Sequence, residues 1–191
     1  MEPKRRNRKI IIVIAAAVAL VGTVVYAATT NILAVGTIPE SKLFNGPATV
    51  TVRTLTIKPG EELAWHYHPG YAFNVIKSGD LTVEDGCGGE ETLLQGQAFE
   101  EMDGRVHRAK NNGTNDVVVY NTFIMPAGKI TTVNIPGNER RCGPPEEIDE
   151  CKDDGWLKFN HPQSFGNQGE CMSFVRHRPR NTIPVPQDPL Q

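Results

Sequence analysis

From residue 46 onward the chain alternates apolar and polar side chains with a period of two, the signature of half-buried strands. Ala48–Ile57 is a Val- and Thr-rich run of this kind. Leu63–His68 sets Leu63, Trp65 and Tyr67 on one face and Ala64, His66 and His68 on the other. Tyr71–Lys77 groups Ala72, Asn74 and Ile76 on one face. Leu81–Glu84, Glu91–Leu94, Ala98–Glu101, Arg105–Lys110, Asp116–Met125 and Ile130–Ile135 complete the series. Pro59-Gly60 and Pro69-Gly70 mark turns, Ser78-Gly79-Asp80 reads as a tight hairpin, and Asn111-Asn112-Gly113 as a hairpin turn with positive φ. Many short strands, with no helical period outside the N-terminus, predict an all-β sandwich or barrel.

The N-terminus follows a different rule. Ile10–Ala28 is 19 residues without a charge, preceded by Lys4, Arg5, Arg6, Arg8 and Lys9. As a helix it would be ~28 Å long, enough to cross a bilayer core. The expectation is a transmembrane anchor over 10–28 with a basic cytoplasmic segment at 1–9. A cleaved signal peptide ending near Val25-Tyr26-Ala27 is the alternative. Either exports the rest, anchored to the membrane through that helix or secreted. Beyond it the pattern suggests a linker at 29–45, a barrel at 46–136, an appendage at 137–175 with too few residues for its own core, and a basic, proline-rich, disordered tail at 176–191.

Without residues 1–28 the chain holds 15 Lys and Arg against 21 Asp and Glu, a net charge of −6. No basic patch interleaves with aromatics, which argues against a nucleic-acid partner. All four cysteines fall in the exported part, which suggests two disulfides. Of three connectivities, the preferred one is Cys151–Cys171, stapling the appendage, and Cys87–Cys142, tying a hairpin tip to the chain that leaves the barrel. No Cys-x2-Cys pair exists to favour a zinc site.

The chemistry lies in two glycine-framed segments, Gly60-x5-His66-x-His68-x3-Ala72-x6-Gly79 and Gly96-x5-Met102-x-Gly104-x2-His107-x3-Asn111. His66 and His68 share a strand face, and a third His on a neighbouring strand completes a triad of nitrogen donors. These segments resemble the two motifs of the cupin superfamily, G-x5-H-x-H-x3,4-E-x6-G and G-x5-P-x-G-x2-H-x3-N. Eight of the ten fixed positions match, over roughly residues 45–135. The resemblance implies a double-stranded β-helix, or jelly-roll barrel, and assigns His66, His68 and His107 as ligands of a divalent metal: Fe, Zn, Mn, Ni or Cu. Small cupins are often homodimers, and the resemblance extends that expectation here.

Two motif positions depart. Met102 replaces the proline. Ala72 replaces the glutamate ligand, and three readings follow. Three histidines alone hold the metal, leaving a site near +2 that favours anionic or thiolate ligands; or a nearby acid, Glu100, Glu101 or Asp103, substitutes; or the cup holds no metal. The first is preferred over the second because the three acids lie at the motif's edge. Ala72, Asn74, Arg105 and Asn121 are candidate pocket residues, Arg105 as a clamp for a ligand carboxylate. Function divides between a metal-dependent oxygenase- or isomerase-type enzyme or binder of small molecules, and a non-catalytic, metal-free module binding a ligand or partner at the cell surface. Whether the chain is an enzyme is left open by the sequence.

Overall fold

The computed structural model describes residues 28–102 and 104–178. The anchor or signal helix expected over 10–28 lies outside them except for Ala28, as do the basic segment and residues 179–191 of the tail. Among the described residues, no helix is long and apolar enough to cross a membrane.

Among the described residues ten strands form: β1 (Thr29–Ser41), β2 (Gly46–Ile57), β3 (His66–Tyr67), β4 (Tyr71–Ser78), β5 (Leu81–Asp85), β6 (Glu90–Leu93), β7 (Ala98–Met102), β8 (His107–Lys110), β9 (Val117–Pro126) and β10 (Val133–Asn134). They make two five-stranded antiparallel sheets, ordered β1-β2-β9-β4-β7 and β10-β3-β8-β5-β6. The all-β expectation holds, and the architecture is that of a jelly roll.

Period-two alternation is what closes it. Along β9, Val117, Val119, Asn121, Phe123 and Met125 are buried and face the interior. Leu55, Ile57, Ile76, Leu81, Leu93, Ala109, Val117 and Val119 pack between the sheets as an apolar plug. Beyond Val119 the interior turns polar, and the three histidines lie at that end.

Local differences from the sequence reading have identifiable causes. Residues 29–45 were expected to be a linker, yet Thr29–Ser41 is a long edge strand in register with β2. Its residues are exposed on both faces up to Ser41, so burial leaves no periodic signal there. The Ser78-Gly79-Asp80 turn joins no hairpin: β4 pairs with β7 and β9, whereas β5 pairs with β6 and β8. It is a corner between sheets. A Cβ on Gly79, at φ 77°, would lie 2.8 Å from the Asp116 carbonyl oxygen. Gly113 is absent from the positive-φ residues, so 111–113 is not the primed turn expected. Instead the buried Asn111 side chain organises the loop. Its Nδ2 donates to the carbonyls of Ile57 and Asn115, and its Oδ1 accepts from the Gly113 amide.

The appendage is more structured than expected. It contains 3-10 turns at Ile148–Cys151 and Gly155–Lys158 and a helix, α1 (Gln168–His177), capped by Asn167. The helix therefore takes in the first two residues assigned to the tail. Cys142, Cys151, Phe159, Phe165, Cys171 and Val175 form a small core of their own. Two disulfides make this affordable, Cys87–Cys142 to the barrel and Cys151–Cys171 within the appendage. With partners 55 and 20 positions apart in sequence, loop closure would contribute about 4 and about 3 kcal/mol. Two disulfides fit an oxidising, extracytoplasmic compartment.

Candidate metal centre

His66 lies on β3 directly opposite His107 at the start of β8. His68 follows β3 two residues later, on the same face. The ring centroids are 4.4 Å apart for His66–His107, 5.0 Å for His68–His107 and 5.1 Å for His66–His68. All three are buried, and each offers one ring nitrogen within 4.8 Å of the others.

The backbone holds each ring in one tautomer. Nδ1 of His66 lies 2.7 Å from the Ala64 carbonyl, Nδ1 of His68 2.5 Å from that of Thr131, and Nδ1 of His107 2.9 Å from that of Arg105. A carbonyl only accepts, so each Nδ1 carries a proton and each ring turns its Nε2 inward. That is how metal-binding histidines are commonly oriented. Burial, then the neighbouring His107 and His68, pushes the His66 pKa down to about 3, so this ring stays neutral across the physiological range.

Glu101 joins them. Its Oε2 is 3.2 Å from His68 Nε2 and its Oε1 3.0 Å from His107 Nε2. Burial opposes its charge, but the His107 and His68 rings hold its carboxyl well below the usual range. Burial likewise disfavours an imidazolium at His107, yet the Glu101 carboxylate keeps that pKa raised. Although His107 Nε2 is within ion-pair distance of Glu101, it is a buried atom without a hydrogen-bond partner. With Nδ1 already donating, a neutral His107 would face the carboxylate oxygen with a lone pair, so a proton or a metal ion belongs between them.

The donor set therefore fits a metal ion. Two ligands each ~2.1 Å from one ion lie ~3.4 Å apart at a tetrahedral angle and ~3.0 Å apart at a right angle, and Glu101 lies 3.2 and 3.0 Å from the two rings. The three-histidine cluster could hold a divalent metal.

The candidate pocket residues fall in different places. Ala72 is fully buried against Phe123 and Met125. Asn74 and Asn121 are buried inside the barrel and form a chain: Arg53 Nε donates to Asn121 Oδ1, Asn121 Nδ2 to Asn74 Oδ1, and Asn74 Nδ2 to Glu101 Oε2. Arg105 lines the larger cavity described below and pairs there with the appendage, at 3.1 Å from Glu146 and 3.0 Å from Glu150. Arg53 and Glu101 are the residues that sequence reasoning missed or set aside. Asp103 lies outside the described residues, and Glu100 is exposed.

A cavity of about 20 Å³, room for roughly one water, touches His66, His68 and Glu101 inside the barrel. A larger one of about 490 Å³ reaches His107 and Glu101 from outside, past Val83, Leu93 and Phe99. It lies between β6 and β7, the edge strands of the two sheets.

The class is thus a double-sheet β-barrel with a histidine cluster at one end of its interior. The match to known families is specific: residues 53–124 fit the model of the Cupin domain. Over that segment the chain is similar to the cupin family. No curated protein matches it. Solved structures similar in fold include a cupin-like protein from Thermotoga maritima, at 18% identity and TM-score 0.45, covering 56% of this chain and 75% of that one. A cupin domain from Bordetella pertussis shows 22% identity and TM-score 0.40, covering 52% and 94%. An oxalate oxidase in complex with the substrate analogue glycolate shows 18% identity and TM-score 0.40, covering 46% of each chain.

Proposed function

We propose that this chain is an exported cupin that binds a divalent metal through His66, His68 and His107 and uses the site on a small molecule. The carrying observation is the uniform orientation of three buried imidazoles, each with Nδ1 committed to a backbone carbonyl and Nε2 turned inward. Two disulfides support export, with the apolar stretch at 10–28 as anchor or signal.

When bound, a divalent metal would supply Lewis acidity and open positions for ligand oxygen or nitrogen. The chain's own residues do the rest. The backbone carbonyls fix the rings, Phe123 packs edge-on to His68 at 5.0 Å, and the apolar plug closes the far end of the barrel to water. The large cavity admits the ligand. Six carboxylates, Asp85, Glu90, Glu91, Glu100, Glu101 and Glu146, line it against one guanidinium, Arg105; Glu146 pairs with Arg105, Glu90 with Lys110, and Asp85 accepts from the amides of Cys87, Gly88 and Gly89. Register sets Glu91 opposite Val83 and Asp85 opposite His107, so both share the inward face. These walls favour a cationic or neutral ligand over the anion that a bare three-histidine site would select.

Reconstitution of the full chain with Zn²⁺ or Fe²⁺, followed by elemental analysis, tests the reading. About one equivalent is expected, falling at least ~10-fold in His68→Ala and His107→Ala. On loaded protein, 1,5-diaminopentane should bind more tightly than glutarate. Metal-free wild type would leave the alternative, a metal-free binding module at the cell surface.

A further inference from the structure

The barrel lacks a carboxylate at position 72, where the motif expects one, and has one where the motif expects none. The register connects the two. Ala72 on β4 lies directly opposite Glu101 on β7. Directly opposed residues on antiparallel strands share a face, with Cβ atoms about 5 Å apart. A side chain as long as glutamate reaches from either position to the same point.

We propose that Glu101 is the anionic ligand of the metal centre, the carboxylate having crossed from β4 to the facing position on β7. This rests on the three-histidine reading and adds a fourth donor to it. Glu101 brings one oxygen to each of His68 Nε2 and His107 Nε2, at 3.2 and 3.0 Å. Its carboxylate is held from behind by the Asn74 amide, which donates to Oε2 at 3.0 Å. Asn74 is positioned in turn by Asn121, and Asn121 by Arg53. These three sit side by side on adjacent strands, Arg53 opposite Asn121 and Asn121 opposite Asn74. They are positioning residues, fixing the oxygen that faces the rings.

The volume vacated at position 72 is not open. Ala72 packs against Phe123 and Met125, and Phe123 meets His68 edge-on and lies under the Arg53 guanidinium, 4.5 Å away. With Glu101 in place, a second carboxylate at position 72 would meet its charge.

Zn²⁺ affinity of the full chain, measured by competition with a chelating dye, tests this, with the Co²⁺ visible spectrum as a second readout. Glu101→Gln should keep one equivalent of metal through the histidines, bind it at least ~10-fold more weakly, and change the Co²⁺ spectrum. Ala72→Glu combined with Glu101→Ala should regain part of that loss. Unchanged affinity and spectrum in Glu101→Gln, with His107→Ala abolishing binding, would overturn the assignment of Glu101 while leaving the histidine site standing. A wild-type chain that binds no metal would overturn both. Should the double variant fail to fold, the Glu101→Gln comparison decides alone, since that change keeps shape and amide hydrogen-bonding capacity.

Discussion

At the scale of single residues, Asn111 shows a motif position doing structural rather than chemical work. Its buried side chain satisfies two carbonyls and one amide across the loop that precedes β9. Asn111→Ala leaves those groups unpaired, at a cost of about 3 kcal/mol, or roughly 10 °C in melting temperature. Thermal unfolding measures it, and a shift under ~2 °C would contradict this role. The histidines were legible in the sequence because two-residue spacing on a strand fixes a face, and paired glycine frames fix the register between segments. Glu101 was not. Its neighbour Glu100 has the same chemistry, and only the pairing of β4 with β7 tells which of the two points inward. Arg53 was hidden for a related reason: an arginine in a Val-Thr strand gives no sign of facing a buried asparagine on β9. Parity placed Arg105 among the pocket residues, but its pairing with Glu146 and Glu150 depends on the appendage, which parity does not place.

Among the elements, β5 and β8 illustrate how charge holds the outer surface of the second sheet. Glu84 lies opposite Arg108 and pairs with it and with Lys110 Nζ, at 2.6 Å from the latter. Lys110 first, against the opposing effect of burial and with help from Arg108, holds the Glu84 carboxyl down to about 2. A depressed carboxyl stabilises the fold above its unfolded pKa, and that contribution is lost as pH falls from about 4.5 toward about 2. Glu84→Gln is therefore expected to lower stability near pH 7 by on the order of 1 kcal/mol, the pair lying near the surface, which is ~2–4 °C. Melting curves of variant and wild type should converge near pH 2, and a constant gap from pH 7 to pH 2 would argue against the pairing. Strand existence was legible wherever one face is buried and the other wet. The two-residue β3 and β10 fell short of the expected Leu63–His68 and Ile130–Ile135 because bridges to β8 and loop contacts replace a regular ladder there. β1 escaped notice because both its faces are exposed.

Across the whole molecule, the chain divides its interior by chemistry. One end of the barrel is an apolar plug, and the other is a polar lattice from Arg53 to the histidines. The appendage, stapled to the barrel through Cys87–Cys142, brings Glu146 to the wall of the large cavity and so shapes access to the site. The sequence pointed to the barrel and both staples, but the appendage's helix and small core come from contacts between cysteines and aromatics that have no simple period. The proposed site holds one ion among His66, His68 and His107 with a carboxylate beside them. X-ray absorption on the metal-loaded full chain tests it most directly. For zinc, the expected spectrum shows imidazole scattering from three nitrogens at ~2.0–2.1 Å and a carboxylate oxygen at ~2.0–2.2 Å. A shell of oxygen alone, with no imidazole scattering, would contradict the account.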